Sequence, residues 1–152
     1  MTLLNKTFII NDLILDNKLD CLFLTETWLG TDAPVILTEA SPSNFNFTFS
    51  FRSGRKGGGT ASITNKTLES KQILFDQYTT FEHHAVVFNS PPILCVTIYR
   101  PPKHDAVFIS EFSEFLSIIR ATYNSIIITG DFNLHVDNPV TPRLFETPLF
   151  RK

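Results

Sequence analysis

Cysteine, charge and long apolar runs are all scarce in this sequence. Its two cysteines, Cys21 and Cys95, each sit in a strand-like apolar run. No clustered Cys/His spacing exists, which excludes a zinc site. The thiols read as buried and free in a reducing compartment, and no disulfide-linked partner is expected. Charged residues make up only 18% of the 152 positions, against about 25% in an average globular chain. The formal charge is −2, so there is no bulk pull toward nucleic acid, and any DNA contact must rest on local features. No apolar run approaches the ~18 residues that a membrane span needs. The N-terminus lacks a basic n-region, and Asn5 and Lys6 interrupt its apolar residues, so it is not a signal peptide. These absences point to an intracellular protein, of nucleus or cytoplasm, that is not secreted and has no membrane partner.

What is present is apolar and rich in phenylalanine. Apolar residues reach 43% and Phe alone counts 15. A chain of this length buries a real core as one domain, and its Phe content favours a β-rich or mixed core. Residues 3–17 follow a helical period. Leu4, Phe8 and Leu15 lie on the apolar side with Leu3, Ile10 and Ile14 beside them, and Asn5, Lys6, Asn11, Asp12 and Asp16 lie opposite. Residues 20–25 form a short apolar run that reads as a strand buried on both faces. Residues 30–44 read as a loop. Residues 45–51 alternate strictly, with four Phe on one face. Strands are expected at 60–64, 71–75, 82–88, 93–99 and 125–129. Asp105 can cap a helix whose apolar face is Phe108, Phe112, Phe115 and Ile119, with Ile109 and Leu116 alongside. The sum predicts an α+β (α/β layered) fold, with stacked sheets flanked by helices. Residues 139–152 carry three prolines and no sustained period, and read as an irregular tail.

Three polar motifs follow apolar strands, where open α/β sheets place their ligand sites. Glu26, in Thr25-Glu26-Thr27-Trp28, offers a carboxylate at a strand end that can ligate a hard cation such as Mg²⁺. It also reads simply as a solvated glutamate. Tyr99 and Arg100, before Pro101 and Pro102, offer a phenol and a guanidinium to a phosphate, or equally a packed Tyr and a surface Arg. Gly130-Asp131-Phe132-Asn133 sets a carboxylate and an amide two residues apart. Together they can orient a water and a phosphate oxygen, or build an Asx-rich turn. Arg52, Arg55, Lys56 and Lys66 bracket a glycine-rich turn with no acid between 52 and 66. That segment suits either a phosphate backbone or solvent.

In their order these segments resemble the exonuclease–endonuclease–phosphatase superfamily. The likeness is greatest to the apurinic-like endonuclease domain of LINE-type (non-LTR) retrotransposons. It runs over about residues 3–138, through LDCLFLTETWL at 19–29, Gly57-Gly58-Gly59-Thr60-Ala61-Ser62-Ile63, VTIYRPP at 96–102 and IIITGDFNLHVD at 126–137. The resemblance implies a β-sandwich flanked by helices, in four layers, and Mg²⁺-dependent hydrolysis of phosphate esters, with DNA as the partner. Glu26 matches the metal-binding glutamate and Tyr99 the tyrosine that helps hold the scissile phosphate. Asp131 matches the aspartate that positions or deprotonates the attacking water, and Asn133 the asparagine beside it. Arg100 is assigned to phosphate.

The departures carry expectations of their own. The family opens with a strand ending in an Asn and closes on a further Asp and a Ser-Asp-His. Neither the opening nor the closing motif is matched here. Asn5 falls after the expected position, and His135 reads as local structure or solvent. Residues 1–138 are thus expected to be a partial domain, incomplete at both ends, with 139–152 an unrelated tail. Activity is expected to be low or absent, because each missing preorganised group typically costs ~10²–10³ in rate. The other reading is a non-catalytic remnant that binds nucleic acid or protein.

Overall fold

The structure is a computed structural model, and it describes residues 3–51, 57–102 and 106–134. The expectations placed on the Asp105 cap, on residues 52–56, on His135 and on the 139–152 tail lie outside these residues. The chain runs α1 (Thr7–Asp16), β1 (Cys21–Thr25), α2 (Ala33–Ala40), β2 (Phe45–Ser50), β3 (Thr60–Asn65), β4 (Ser70–Ile73), β5 (Glu82–Asn89), β6 (Pro92–Tyr99), α3 (Phe108–Thr122) and β7 (Ile126–Asp131). A single 3-10 turn, Leu3–Lys6, precedes α1. No helix among the described residues is long and apolar enough to cross a membrane.

Two sheets form. The first is antiparallel in the order β1-β3-β2, and the second runs β4-β5-β6-β7. Only β6 and β7 pair in parallel, with Tyr99 opposite Asp131. A parallel pair needs a crossover, and α3 supplies it. The sheets stack with β1 against β6 and β3 against β5. Helices α1 and α2 cover the outer face of the first sheet, through Ile10, Ile14, Ile36 and Leu37 against Ala61 and Ile63. Helix α3 covers the outer face of the second, through Phe108, Phe112, Phe115 and Ile119 against Leu94, Val96 and Ile98. The order is helix, sheet, sheet, helix.

Strand periodicity divides the two kinds of face. Ala61 and Ile63 point to the helices, so Ser62 and Thr64 on the same strand point to the opposite sheet. The layer between the sheets is accordingly polar. His84 Nε2 lies 2.9 Å from Thr48 Oγ1 and 3.1 Å from Ser62 Oγ. Gln72 Nε2 donates to His84 Nδ1 at 3.3 Å, which fixes the proton on Nε2. Burial, reinforced by the neighbouring His83, pushes the His84 pKa down to about 4. Both cysteines are free, Cys95 buried and Cys21 half-buried. Burial pushes the Cys95 thiol up to about 11, with the charge of Cys21 as a lesser cause.

Several elements differ from the sequence reading. Helix α1 and the 3-10 turn before it bury Leu3, Thr7, Ile10 and Ile14, and leave Leu4, Phe8 and Leu15 exposed, with Phe8 at 72%. Of the expected apolar side, Leu3, Ile10 and Ile14 are thus buried, while Leu4, Phe8 and Leu15 face solvent. Residues 33–40 are helical, not loop. Pro34 occupies the first turn, where its fixed φ is already helical and its missing N–H costs nothing. Strand β1 is half-buried along its whole length because it lies at the edge of its sheet. Strand β7 is likewise partly exposed.

Candidate active site

The polar inter-sheet layer opens at one end of the sandwich, where β1, β6 and β7 finish and β5 begins. Glu26 leaves β1 with φ 52°, a left-handed conformation that costs a glutamate energy. Its carboxylate meets the second sheet there, because the Tyr99 hydroxyl donates a short hydrogen bond to Glu26 Oε1. Glu26 is exposed, whereas Tyr99 is buried at the last position of β6. Asp131 stands opposite Tyr99 in the parallel register and is exposed. Glu26, Tyr99 and Asp131, three of the residues singled out in the sequence, thus share one rim.

The backbone around Asp131 is held by a reciprocal clasp. Arg100 N–H donates to the Asp131 carbonyl at 2.8 Å. Asn133 Nδ2 donates to the Arg100 carbonyl at 2.7 Å. Asn133 N–H donates to Asp131 Oδ1 at 3.0 Å, with Asn133 at φ 47°. Two elements of the clasp are therefore Arg100 and Asn133, and their groups face the loop. The Arg100 side chain is buried at 6% exposure. Its Nη1 donates to the carbonyls of Phe132 and Asn133, 3.2 Å each, and its guanidinium lies 4.6 Å over the Phe108 ring. This geometry braces the Asp131 loop from inside.

One further acid belongs to the rim. Glu82 pairs in register with Tyr99, and its Oε2 accepts from Gly59 N–H at 2.6 Å. A Cβ at Gly58 would collide with the Glu82 carboxylate, so the glycines let the first sheet's backbone close onto this acid. The next bonds run Thr27 N–H to Gly59 O at 3.2 Å and Trp28 N–H to Gly58 O at 2.9 Å. Glu82 therefore locks the segment that follows Glu26. The sequence does not single it out, since a glutamate opening an alternating strand looks like a solvent-face residue. The triple glycine at 57–59 was the available signal.

As a cation site the rim offers hard oxygen donors. Glu26 Oε2 has no hydrogen-bond partner among the described residues, and Asp131 carries an exposed carboxylate. Such donors suit a cation of the Mg²⁺ type in kind. In number they are few, for no group of three or more His, Cys, Asp or Glu gathers among the described residues.

Comparison with solved structures finds the same fold in several proteins, a 3′ phosphatase among them. A humanized zebrafish (D. rerio) TDP2 matches with TM-score 0.59 and 18% identity, over 88% of this chain and 57% of that one. The 3′ phosphatase NExo from Neisseria, bound to a product DNA hairpin, matches with TM-score 0.61 and 16% identity, over 88% and 55%. The human nocturnin catalytic domain matches with TM-score 0.60 and 13% identity, over 98% and 68%. The chain spans a little over half the length of the TDP2 and NExo chains it matches. Comparison with curated protein sequences finds no match. A profile of the Endonuclease/Exonuclease/phosphatase family, however, matches residues 6–150. With that match over nearly the whole chain, and with the four-layer sandwich described above, the chain belongs to the Endonuclease/Exonuclease/phosphatase family.

Proposed function

We propose that this rim is a Mg²⁺-dependent phosphodiesterase site acting on DNA, of the kind found in LINE-type retrotransposon endonucleases, and that its turnover is low. The observation that carries the reading is the Tyr99–Glu26 hydrogen bond beside the Asp131 register position. It joins a carboxylate of one sheet to a phenol of the other, at the point where a third strand delivers an acid. Family membership supports hydrolysis of phosphate esters. TDP2 with a single-strand DNA product and NExo with a DNA hairpin support the substrate class.

Glu26 would hold the cation through Oε2 while Tyr99 fixes Oε1. When bound, Mg²⁺ would supply positive charge to a phosphate oxygen. Tyr99 offers its phenol to the phosphate once substrate displaces part of its bond to Glu26. Asp131 orients the attacking water and accepts its proton. Asn133 fixes the Asp131 carboxylate through its own N–H, and Arg100 holds the loop that carries both. Turnover is low because few carboxylates gather here among the described residues, and a cation held mostly by water binds weakly. Such a protein acts where DNA is available, in the nucleus or after entry of DNA into the cytoplasm.

Nicking of supercoiled plasmid tests the proposal. The purified protein should nick slowly in Mg²⁺ and not in EDTA. Asp131→Asn should lower the rate by about 10²-fold or more, and Glu26→Gln should raise the Mg²⁺ concentration needed. Nicking that survives EDTA or Asp131→Asn overturns the site. Binding of DNA without any nicking would favour the non-catalytic reading instead.

A further inference from the structure

Trp28 is the only tryptophan in the chain, and it stands two residues beyond Glu26. It lies between two buried neighbours, Thr27 and Leu29, yet is itself 45% exposed. Its backbone adopts φ 55° and is pinned by the bond from its N–H to Gly58 O. The left-handed turn and the buried flanks push the indole outward, so its exposure is fixed by the local structure. The ring carbons Cε2 and Cζ2 come within 3.6 Å of where a Gly57 Cβ would be. A glycine thus supports one side of the ring. Phe51 is the second exposed aromatic here, at 44%, and its Cα lies 3.8 Å from the Cβ position of Gly59. The two aromatics flank the same glycine segment before β3. In a chain that sends most of its aromatics into its two helix-facing cores, both stay at the surface.

We propose that Trp28, seconded by Phe51, is a stacking platform for an unpaired nucleobase adjoining the phosphate held at Glu26 and Tyr99. The inference rests on the phosphodiesterase reading and adds to it a preference for single-stranded or locally opened nucleic acid. Two residues of extended chain span at most about 7 Å, so the indole is within reach of the base next to that phosphate. An exposed indole on a rigid backbone keeps its π-face available at little entropic cost. Stacking is tolerant of sequence, because every base has a π-face. A duplex cannot use such a platform without opening. A base that is already unpaired can.

The test separates base from backbone. Binding is measured in EDTA, by anisotropy of a labelled 12-mer oligothymidylate, against an abasic 12-mer of equal charge and the same sequence as a duplex. The base-bearing single strand should bind about 5- to 150-fold more tightly than the abasic strand. It should also quench the fluorescence of Trp28. Trp28→Ala should bring the two strands to parity, while Trp28→Phe keeps most of the difference and Phe51→Ala reduces it. Equal binding of the two strands by the unaltered protein, failure of both to bind, or indifference to Trp28→Ala overturns the proposal. Should Trp28→Ala fail to fold, the abasic comparison and Trp28→Phe still decide. Plasmid nicking without base-dependent binding would leave the phosphodiesterase reading standing and remove this one. Base-dependent binding without nicking would do the reverse.

Discussion

Gly130 stands where two parallel strands approach too closely for a side chain. Its φ is 134°, and a Cβ there would overlap the Ile98 carbonyl and come within 2.7 Å of the Ile98 nitrogen. These are backbone atoms of β6, so nothing can swing aside. Gly130→Ala should cost at least ~2 kcal/mol, visible as a lower urea midpoint, and should shift Asp131 away from Tyr99. An unchanged midpoint would show that β6 and β7 are not this close. Asp131, Tyr99 and Glu26 were legible in the sequence because each is polar and directly follows an apolar run. Arg100 was legible as a residue of the rim, but its bonds to the neighbouring loop were not. Nothing near it in the sequence indicates that its partners are the carbonyls of Phe132 and Asn133. Glu82 was not legible, since its role depends on a glycine on the other sheet.

Helix α1 shows what periodicity decides at the scale of an element and what it leaves open. Apolar residues occupy most sides of this helix, so a 3.6-residue period fits two stripes. The stripe carrying Ile10 and Ile14 is the one that meets α2 and the first sheet, and the 3-10 turn before it sets the phase. Ile14→Ala should therefore cost ~2–4 kcal/mol, while Phe8→Ser should lie within about 0.5 kcal/mol of zero. Equal losses in denaturant unfolding would contradict the observed orientation. Helix α2 was read as loop because Gly30, Asp32 and Pro34 crowd its start. Asp32 Oδ1 in fact accepts from Gly30 N–H at 3.2 Å, a turn that leads into the helix. Helix α3 was legible in its stripe of Phe108, Phe112, Phe115 and Ile119, although Ile109 beside it is exposed and Val107 stands at the N-cap. It also serves as a fastener. Its Glu111 carboxylate accepts from the N–H and hydroxyl of both Thr79 and Thr80.

The whole molecule is two apolar cores separated by a hydrogen-bonded layer, and its response to acid follows from that layer. The pKa of His84 falls from 6.5 unfolded to about 4 folded, by burial first and the charge of His83 second. As pH drops through this window the unfolded state takes up the proton before the folded state does. Stability therefore falls between pH 6.5 and about 4, by on the order of 3 kcal/mol from this group alone. Burial lowers His83 in the same direction. Glu111 continues the loss at lower pH. Burial raises its carboxyl pKa, but the bonds from Thr80 and Thr79 outweigh this and hold it low, so that its contribution disappears once it protonates. Urea midpoints at pH 7 and pH 4.5 should differ clearly, and His84→Gln should flatten the difference. A midpoint independent of pH would mean the layer is hydrated. The layered architecture was legible from strand and helix order, but the polar character of its middle was not, because serine and threonine on alternating strands look like solvent faces. The union of Glu26 with Tyr99 has a consequence in time as well as in space. They are 73 residues apart, and at roughly 5–20 residues per second a ribosome releases the second about 4–15 s after the first. Asp131 follows later still. A nascent chain carries an isolated carboxylate for that interval, so the rim forms only after the second sheet has been made and the sandwich has closed on the first.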